Sequence, residues 1–106
     1  MRRRAAALAA LATFMGAACG PQEKLSAEAE RGRQVYQAQC IACHNPDPAK
    51  VGPVGPEVRG TSRDVLRAKI VDGTYPPGYA PKRATKIMQP MPQAASDIDA
   101  LAAFLR

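Results

Sequence analysis

The sequence predicts a small all-α fold in which three main helices are joined by long loops rich in proline and glycine. The chain has only 106 residues, so it is expected to form one small domain. A serine with helix-capping character precedes each of the three stretches predicted as helices, at Ser26, Ser62 and Ser96. The segments between these stretches hold nearly all of the ten prolines, which exclude long regular structure there.

The first predicted helix leads into the five residues from Cys40 to His44, which have the spacing C-x-x-C-H. This spacing is the attachment motif for a c-type haem. In a short helical turn, the thiols of Cys40 and Cys43 can each bond one vinyl carbon of the porphyrin. The imidazole of His44 is then placed under the macrocycle, where it can ligate the iron. One motif predicts one covalently attached haem.

Two other roles are known for a C-x-x-C pair, a redox dithiol and half of a zinc site. The dithiol role requires a strand that leads into the motif within a βαβ unit, but residues 33–39 have a helical pattern. A zinc site needs four ligands, and apart from Cys19 the chain offers only Cys40, Cys43 and His44. The sequence therefore favours haem attachment over both alternatives.

The first 18 residues have the composition of a secretory signal peptide. Three arginines at positions 2–4 precede an alanine-rich apolar run over 5–18, which is too short to span a bilayer. We therefore predict a lipoprotein-type signal peptide over 1–18, a tether over 19–25 and the folded domain over 26–106. A buried N-terminal helix is the alternative, but three arginines before such a run make a poor core helix.

The stretch from Met15 to Cys19 resembles a bacterial lipoprotein signal, in which the cysteine is lipidated and becomes the mature N-terminus. Gly16 departs from that pattern, which usually has Leu three residues before the cysteine. Cleavage after Gly20 would instead remove Cys19 with the leader. We favour lipidation, since a free thiol beside haem-attachment thiols in an oxidising compartment invites mispairing. Either outcome places the domain outside the cytoplasmic membrane, in the periplasm or at the cell surface, and lipidation predicts membrane anchoring.

The charge of the chain gives no reason to expect nucleic-acid binding. Without the three leader arginines, 12 basic residues remain against 9 acidic ones, so the formal charge falls from +6 to +3. Two haem propionates would bring it close to neutral.

With few aromatic residues and many prolines, the domain is expected to have a thin core, which a buried haem would complete.

The flanks of the motif resemble those of the small monohaem cytochromes c of bacteria. The resemblance rests on Arg31, Gly32 and Tyr36 before the motif, on the motif itself, and on the loop Gly55-Pro56-Glu57-Val58-Arg59-Gly60 after it. It implies the small cytochrome c fold, with three main helices wrapped around the haem. It further implies that the N-terminal and C-terminal helices cross, and the small Gly32 would let their backbones approach.

The same resemblance gives the loop after the motif a role beside the haem. It implies that the carbonyl of Pro56 accepts a hydrogen bond from His44, and that Val58 packs on the porphyrin. Valine stands at this position where the family usually has leucine. Gly52-Pro53 is a competing register for the same loop.

The second helix is predicted over 61–72, with Ser62 as its N-cap and Gly73 as its C-terminal stop. The last helix is predicted to begin at Ser96 as N-cap, with Asp99 at the capping-box position.

The segment 74–95 has no helical or strand period, and a loop of this length usually serves a function. It contains Met88 and Met91. The resemblance places a methionine of such a segment on the distal side of the iron. Met91 lies between two prolines, a pattern similar to that of a subgroup of small cytochromes, so we favour Met91 with Met88 as the alternative. A third interpretation is that both methionines only fill the core against the haem.

These features predict a single-electron carrier with His/Met axial ligation, which is not an enzyme. The only histidine is committed to the iron, so no distal acid–base histidine remains. The partners would be redox proteins, and Lys82, Arg83 and Lys86 either steer acidic partners or are ordinary solvated charges. The alternatives are a haem-based sensor of small gas molecules and an accessory electron-entry subunit of a larger membrane oxidoreductase.

Overall fold

The computed structural model describes residues 24–106 and, in isolation, Gly16. Its α-helices are α1 (Ala27–Gln39), α2 (Arg63–Arg67) and α3 (Ile98–Leu105). A π-helix (Ala68–Asp72) continues α2, and a 3-10 helix (Pro92–Asp97) precedes α3. The described residues contain no strand, so the predicted all-α fold is confirmed. The predicted signal peptide, most of the tether and Cys19 lie outside the described residues.

Helix α1 begins where the sequence predicts. The hydroxyl of Ser26 accepts a hydrogen bond from the backbone N–H of Ala29 at 3.1 Å. Glu28 and Glu30 lie in the first turn, where the helix dipole favours negative charge.

Among the described helices, none has the length and apolar content that a bilayer-spanning helix requires.

The two terminal helices cross at Gly32, as predicted. A Cβ atom at this position would overlap the carbonyl oxygen of Ala100 in α3 and would lie 2.9 Å from the Cβ of Phe104. One turn further along α1, Tyr36 is 2% exposed, and its ring packs against that of Phe104 with centroids 5.5 Å apart. The helices can approach this closely because Gly32 has no side chain.

The second helix has the predicted caps but not the predicted regularity. The hydroxyl of Ser62 accepts from the N–H of Val65 at 3.4 Å, and Gly73 ends the segment in the left-handed conformation, with φ +72°. From Ala68 onward, however, the turn widens to π-helical, and the N–H of Gly73 donates to the carbonyl of Ala68. Apolar periodicity cannot reveal such a single wide turn. It predicts which residues are buried, but not whether a backbone N–H bonds the carbonyl four or five residues before it.

The predicted start of the last helix is wrong. Ser96 lies within the 3-10 helix, and no side chain caps the N-terminus of α3. Asp99 forms an ion pair with Arg63 instead of a capping box, and Asp97 binds Arg31 at 2.6 Å. These ion pairs join α3 and the preceding 3-10 helix to the start of α2 and to α1. The acidic residues near the start of α3 therefore bind arginines that are distant in sequence, and they do not cap the helix.

Candidate cofactor site

A cavity of about 330 Å³ opens on one side of the crossed helices. Residues from α1, α2, the π-helix and α3 line it, together with residues of the loops before α2 and after the π-helix. They include the seven site residues predicted within this part of the chain: Cys40, Cys43, His44, Pro56, Val58, Met88 and Met91. The structure therefore brings together side chains that are up to 51 positions apart in the sequence.

The C-x-x-C-H residues form a turn that continues from the end of α1. The N–H groups of Cys43 and His44 both donate to the carbonyl of Cys40, at 3.2 and 2.9 Å. Neither Cys40 nor Cys43 forms a disulfide. Burial raises the pKa of the Cys40 thiol to about 11. Redox dithiols depend on a lowered thiol pKa, so this environment does not favour the dithiol alternative.

The zinc alternative has no support from the side chains around the motif. Within residues 24–106, no three or more His, Cys, Asp or Glu side chains form a group that could hold a metal ion.

The imidazole of His44 is oriented by the loop that follows the motif. Its Nδ1 lies 2.9 Å from the carbonyl oxygen of Pro56. A carbonyl only accepts hydrogen bonds, so Nδ1 must carry the proton, and Nε2 keeps its lone pair for a metal. This contact is made in the register of Gly55-Pro56 and not in that of Gly52-Pro53.

Gly55 lies against the same imidazole, a contact that was not predicted from the sequence. A Cβ atom on Gly55 would lie 2.5 Å from Cε1 and 2.7 Å from Nδ1 of His44. Real Cβ atoms do not approach this closely, so a side chain here would displace the ring. The sequence feature that could have indicated this contact is the glycine directly before Pro56, since a glycine permits close backbone approach.

The loop that carries Pro56 is anchored at both ends. The N–H of Val58 donates to the carbonyl of Pro48 at 2.8 Å. Further along, the N–H of Gly60 donates to the carbonyl of Leu105 at 2.6 Å, and the guanidinium of Arg59 donates to the carbonyl of Phe104 at 3.0 Å. The loop beside His44 is thus fixed to the C-terminus of α3, and Val58 packs against the core.

Both methionines of the long segment lie at the cavity, half-buried and in contact with the core. The backbone of Met91 is held on both sides. Its N–H donates to the carbonyl of Ile70 at 2.5 Å, and its carbonyl accepts from the N–H of Ala94 at 2.9 Å. Met91 is therefore fixed to the π-helix and to the 3-10 helix at once.

Basic and aromatic side chains of the segment before Met88 also line the cavity. The rings of Tyr75 and Tyr79 are stacked with centroids 5.3 Å apart, and the ammonium of Lys69 lies 4.8 Å from the centre of Tyr75. Lys82 is one of the predicted rim cations, and its ammonium donates to the carbonyl of Glu57 at 2.9 Å and lies 3.1 Å from the Glu57 carboxylate. Lys82 therefore joins this segment to the loop beside His44.

The chain was also compared with known proteins. The family model described as Cytochrome c matches residues 29–106. The chain belongs to the cytochrome c family. A search of curated proteins and a search of solved structures found no match.

Family membership implies a covalently attached c-type haem and a role in haem-based electron transfer. Cytochrome c domains typically carry electrons and generally lie outside the cytoplasm. The residues at the cavity fit this group. They supply two thiols at the attachment spacing, an imidazole with a free Nε2, two thioethers, and an apolar lining from Leu66, Leu101 and other core side chains.

Proposed function

We propose that this cytochrome c is a single-electron carrier whose haem is ligated by His44 and Met91, with Met88 as the alternative ligand. Cys40 and Cys43 would form the two thioether bonds. The observation that carries the proposal is the orientation of His44. Its Nδ1 donates to Pro56, which leaves Nε2 free in the same cavity that both methionines line. When bound, the haem supplies an iron that alternates between the ferric and ferrous states.

The hydrogen bond between His44 and Pro56 sets the properties of the nitrogen ligand. It fixes the tautomer and the ring orientation, and it raises the basicity of Nε2. Because Gly55 leaves no space between the loop and the ring, the imidazole cannot turn freely. A ligand that keeps its position in both oxidation states lowers the reorganisation that accompanies electron transfer.

Met91 would supply the opposing ligand. A thioether is a neutral, soft ligand that favours ferrous iron. The two backbone hydrogen bonds of Met91 limit how far it can move when the iron changes charge. Val58 and the other apolar residues that line the cavity would surround the haem with apolar side chains, which also favours the state with less charge.

The location and the partners are proposed from the sequence. Lipidation of Cys19 would hold the domain at the outer face of the cytoplasmic membrane, where donor and acceptor redox proteins can reach it. The intact mass of the protein extracted from membranes tests this anchor. Diacylglyceryl and acyl additions on Cys19 are expected, and a mature chain that begins after Cys19 would refute it.

Absorption spectroscopy and voltammetry of the purified holoprotein test the function. A carrier with two protein ligands gives a low-spin ferric spectrum, a sulfur-to-iron charge-transfer band and a reversible one-electron wave. A gas-sensing domain would instead give a high-spin ferric spectrum that shifts readily when cyanide or nitric oxide is added. The second result would overturn the proposed function.

A further inference from the structure

The π-helix ends in a way that leaves one of its carbonyl groups free for Met91. The N–H of Gly73 and the N–H of Thr74 both bond the carbonyl of Ala68, the latter at 3.1 Å. In a regular α-helix, the N–H of Thr74 would bond the carbonyl of Ile70. Here that carbonyl accepts from the N–H of Met91 at 2.5 Å.

The same helix end also contacts the residue before Met91. A Cβ atom built on Gly73 would lie 3.4 to 3.6 Å from three ring atoms of Pro90. The ring of Pro90 therefore lies beside Gly73, at van der Waals distance from the position of a Cβ, while the next residue bonds Ile70. Two adjacent residues of the methionine segment thus dock on the last turn of one helix.

The left-handed conformation of Gly73 is what produces this docking site. With φ +72°, the chain turns away after Asp72 and sends the N–H of Thr74 back to Ala68. Residues with a Cβ pay a steric penalty in this conformation. A residue that resists it would favour continuation of the helix, in which Thr74 competes with Met91 for the carbonyl of Ile70.

The geometry points to Gly73 as a positioning residue for the axial methionine. By ending the π-helix in the left-handed conformation, Gly73 frees the carbonyl of Ile70 and brings the helix end beside Pro90, and together these contacts hold Met91 at the iron. This inference rests on the proposed ligation by Met91. It assigns Gly73 a function beyond that of a helix stop.

Imidazole binding to the ferric holoprotein tests the inference, because imidazole must displace the distal ligand. In Gly73→Ala, the strain is relieved when the helix end rearranges and Met91 leaves, so imidazole should bind about fivefold or more tightly than to wild type. The midpoint potential should fall as the thioether is held less firmly.

Gly78→Ala is the matched control. Gly78 has φ +80° and no atom within 4 Å of a built Cβ, so the substitution adds the same backbone strain without touching the Met91 support. It should lower the unfolding free energy about as much as Gly73→Ala but leave imidazole affinity at the wild-type value. Equal imidazole affinities for the two variants would overturn the inference.

Pro90→Ala gives a second test if Gly73→Ala does not fold. It removes the ring that lies beside Gly73 and should also strengthen imidazole binding, whereas Pro81→Ala, in the same segment, should not. Unchanged affinity in Pro90→Ala would then count against the inference. Met91→Ala tests the proposed ligation separately from the role of Gly73. If it binds imidazole no more tightly than wild type, ligation by Met91 itself is refuted.

Discussion

Nδ1 of His44 lies 2.9 Å from the carbonyl oxygen of Pro56, and Gly55 closes the space beside the same ring. We predict that Gly55→Ala displaces the imidazole, because the added Cβ would lie within 3.0 Å of three ring atoms. Such overpacking typically costs about 1–3 kcal/mol, which corresponds to about fivefold to 150-fold in the ligation equilibrium.

The spin state of the ferric protein and its haem content measure this effect. Val51→Ala is the control, since Val51 belongs to the same loop, is 55% exposed and is not among the residues that line the cavity. The account would be contradicted if Gly55→Ala kept the low-spin spectrum and the haem content of the control.

The close crossing of α1 and α3 gives a second prediction. In Gly32→Ala, the methyl group would overlap the carbonyl of Ala100, so the helices must separate. We expect the unfolding free energy to fall by about 1–3 kcal/mol, measured by urea titration of the holoprotein. Gln34→Ala lies on the exposed side of α1 and should change stability by less than about 0.5 kcal/mol. Equal stability of the two variants would show that the helices do not meet at Gly32.

Tyr36 links α1 to the residue after the histidine, because its hydroxyl donates to the carbonyl of Asn45 at 2.5 Å. Burial raises the pKa of Tyr36 to about 12 from its ordinary 10.0. A raised pKa means that the stability contributed by the neutral phenol is complete below about pH 10 and is lost as the pH rises to about 12.

At neutral pH, the unfolding free energy of Tyr36→Phe should therefore be about 0.5–1.5 kcal/mol lower than that of wild type. Above about pH 10, the unfolding free energy of Tyr36→Phe should decline less than that of wild type, because the variant has no phenol at this position to ionise. Urea unfolding of the ferrous protein at neutral and alkaline pH gives both values. Tyr79→Phe is the control. It retains Tyr36, so its unfolding free energy should decline at alkaline pH as much as that of wild type. If the unfolding free energies of wild type and Tyr36→Phe declined equally, the alkaline loss of stability could not be assigned to Tyr36.

The contact between Lys82 and Glu57 gives a prediction in acid. The hydrogen bond from its own backbone N–H, and next the one from Lys82, lower the pKa of the Glu57 carboxyl. A lowered pKa means that the contribution is present above the ordinary 4.5 and is lost as the pH falls through the folded-state value. Lys82→Met should thus reduce stability slightly at neutral pH. The difference from wild type should shrink in acid, where only the bond from the ammonium to the carbonyl of Glu57 remains.

Lys86→Met is the matched control for that substitution. It removes an exposed lysine of the same segment and is expected to have wild-type stability at both pH values. A difference between Lys82→Met and wild type that persisted unchanged in acid would show that the ammonium does not act through the carboxylate of Glu57.

The parts of the molecule that the sequence predicts are those set by local chemistry. Ser26 and Ser62 cap their helices and Gly73 ends one, because a cap depends only on the adjacent turn. The motif likewise places Cys40 and His44 at one cavity, as expected.

The parts that the sequence does not predict depend on partners far along the chain. Asp99 follows the capping-box pattern, but Arg63, 36 positions away, takes its carboxylate. The bond from Met91 to Ile70 arises because one π-turn leaves a carbonyl free, and no residue pattern marks that turn. Such contacts become visible only when the helices are packed.

The proposed electron transfer depends on the identity of the second axial ligand, and paired variants of the two methionines test which residue supplies it. The sulfur-to-iron charge-transfer band should be present in the ferric wild-type protein, absent from Met91→Ala and retained in Met88→Ala. The claim is contradicted if the band survives in Met91→Ala and disappears in Met88→Ala, or if the wild-type protein lacks it.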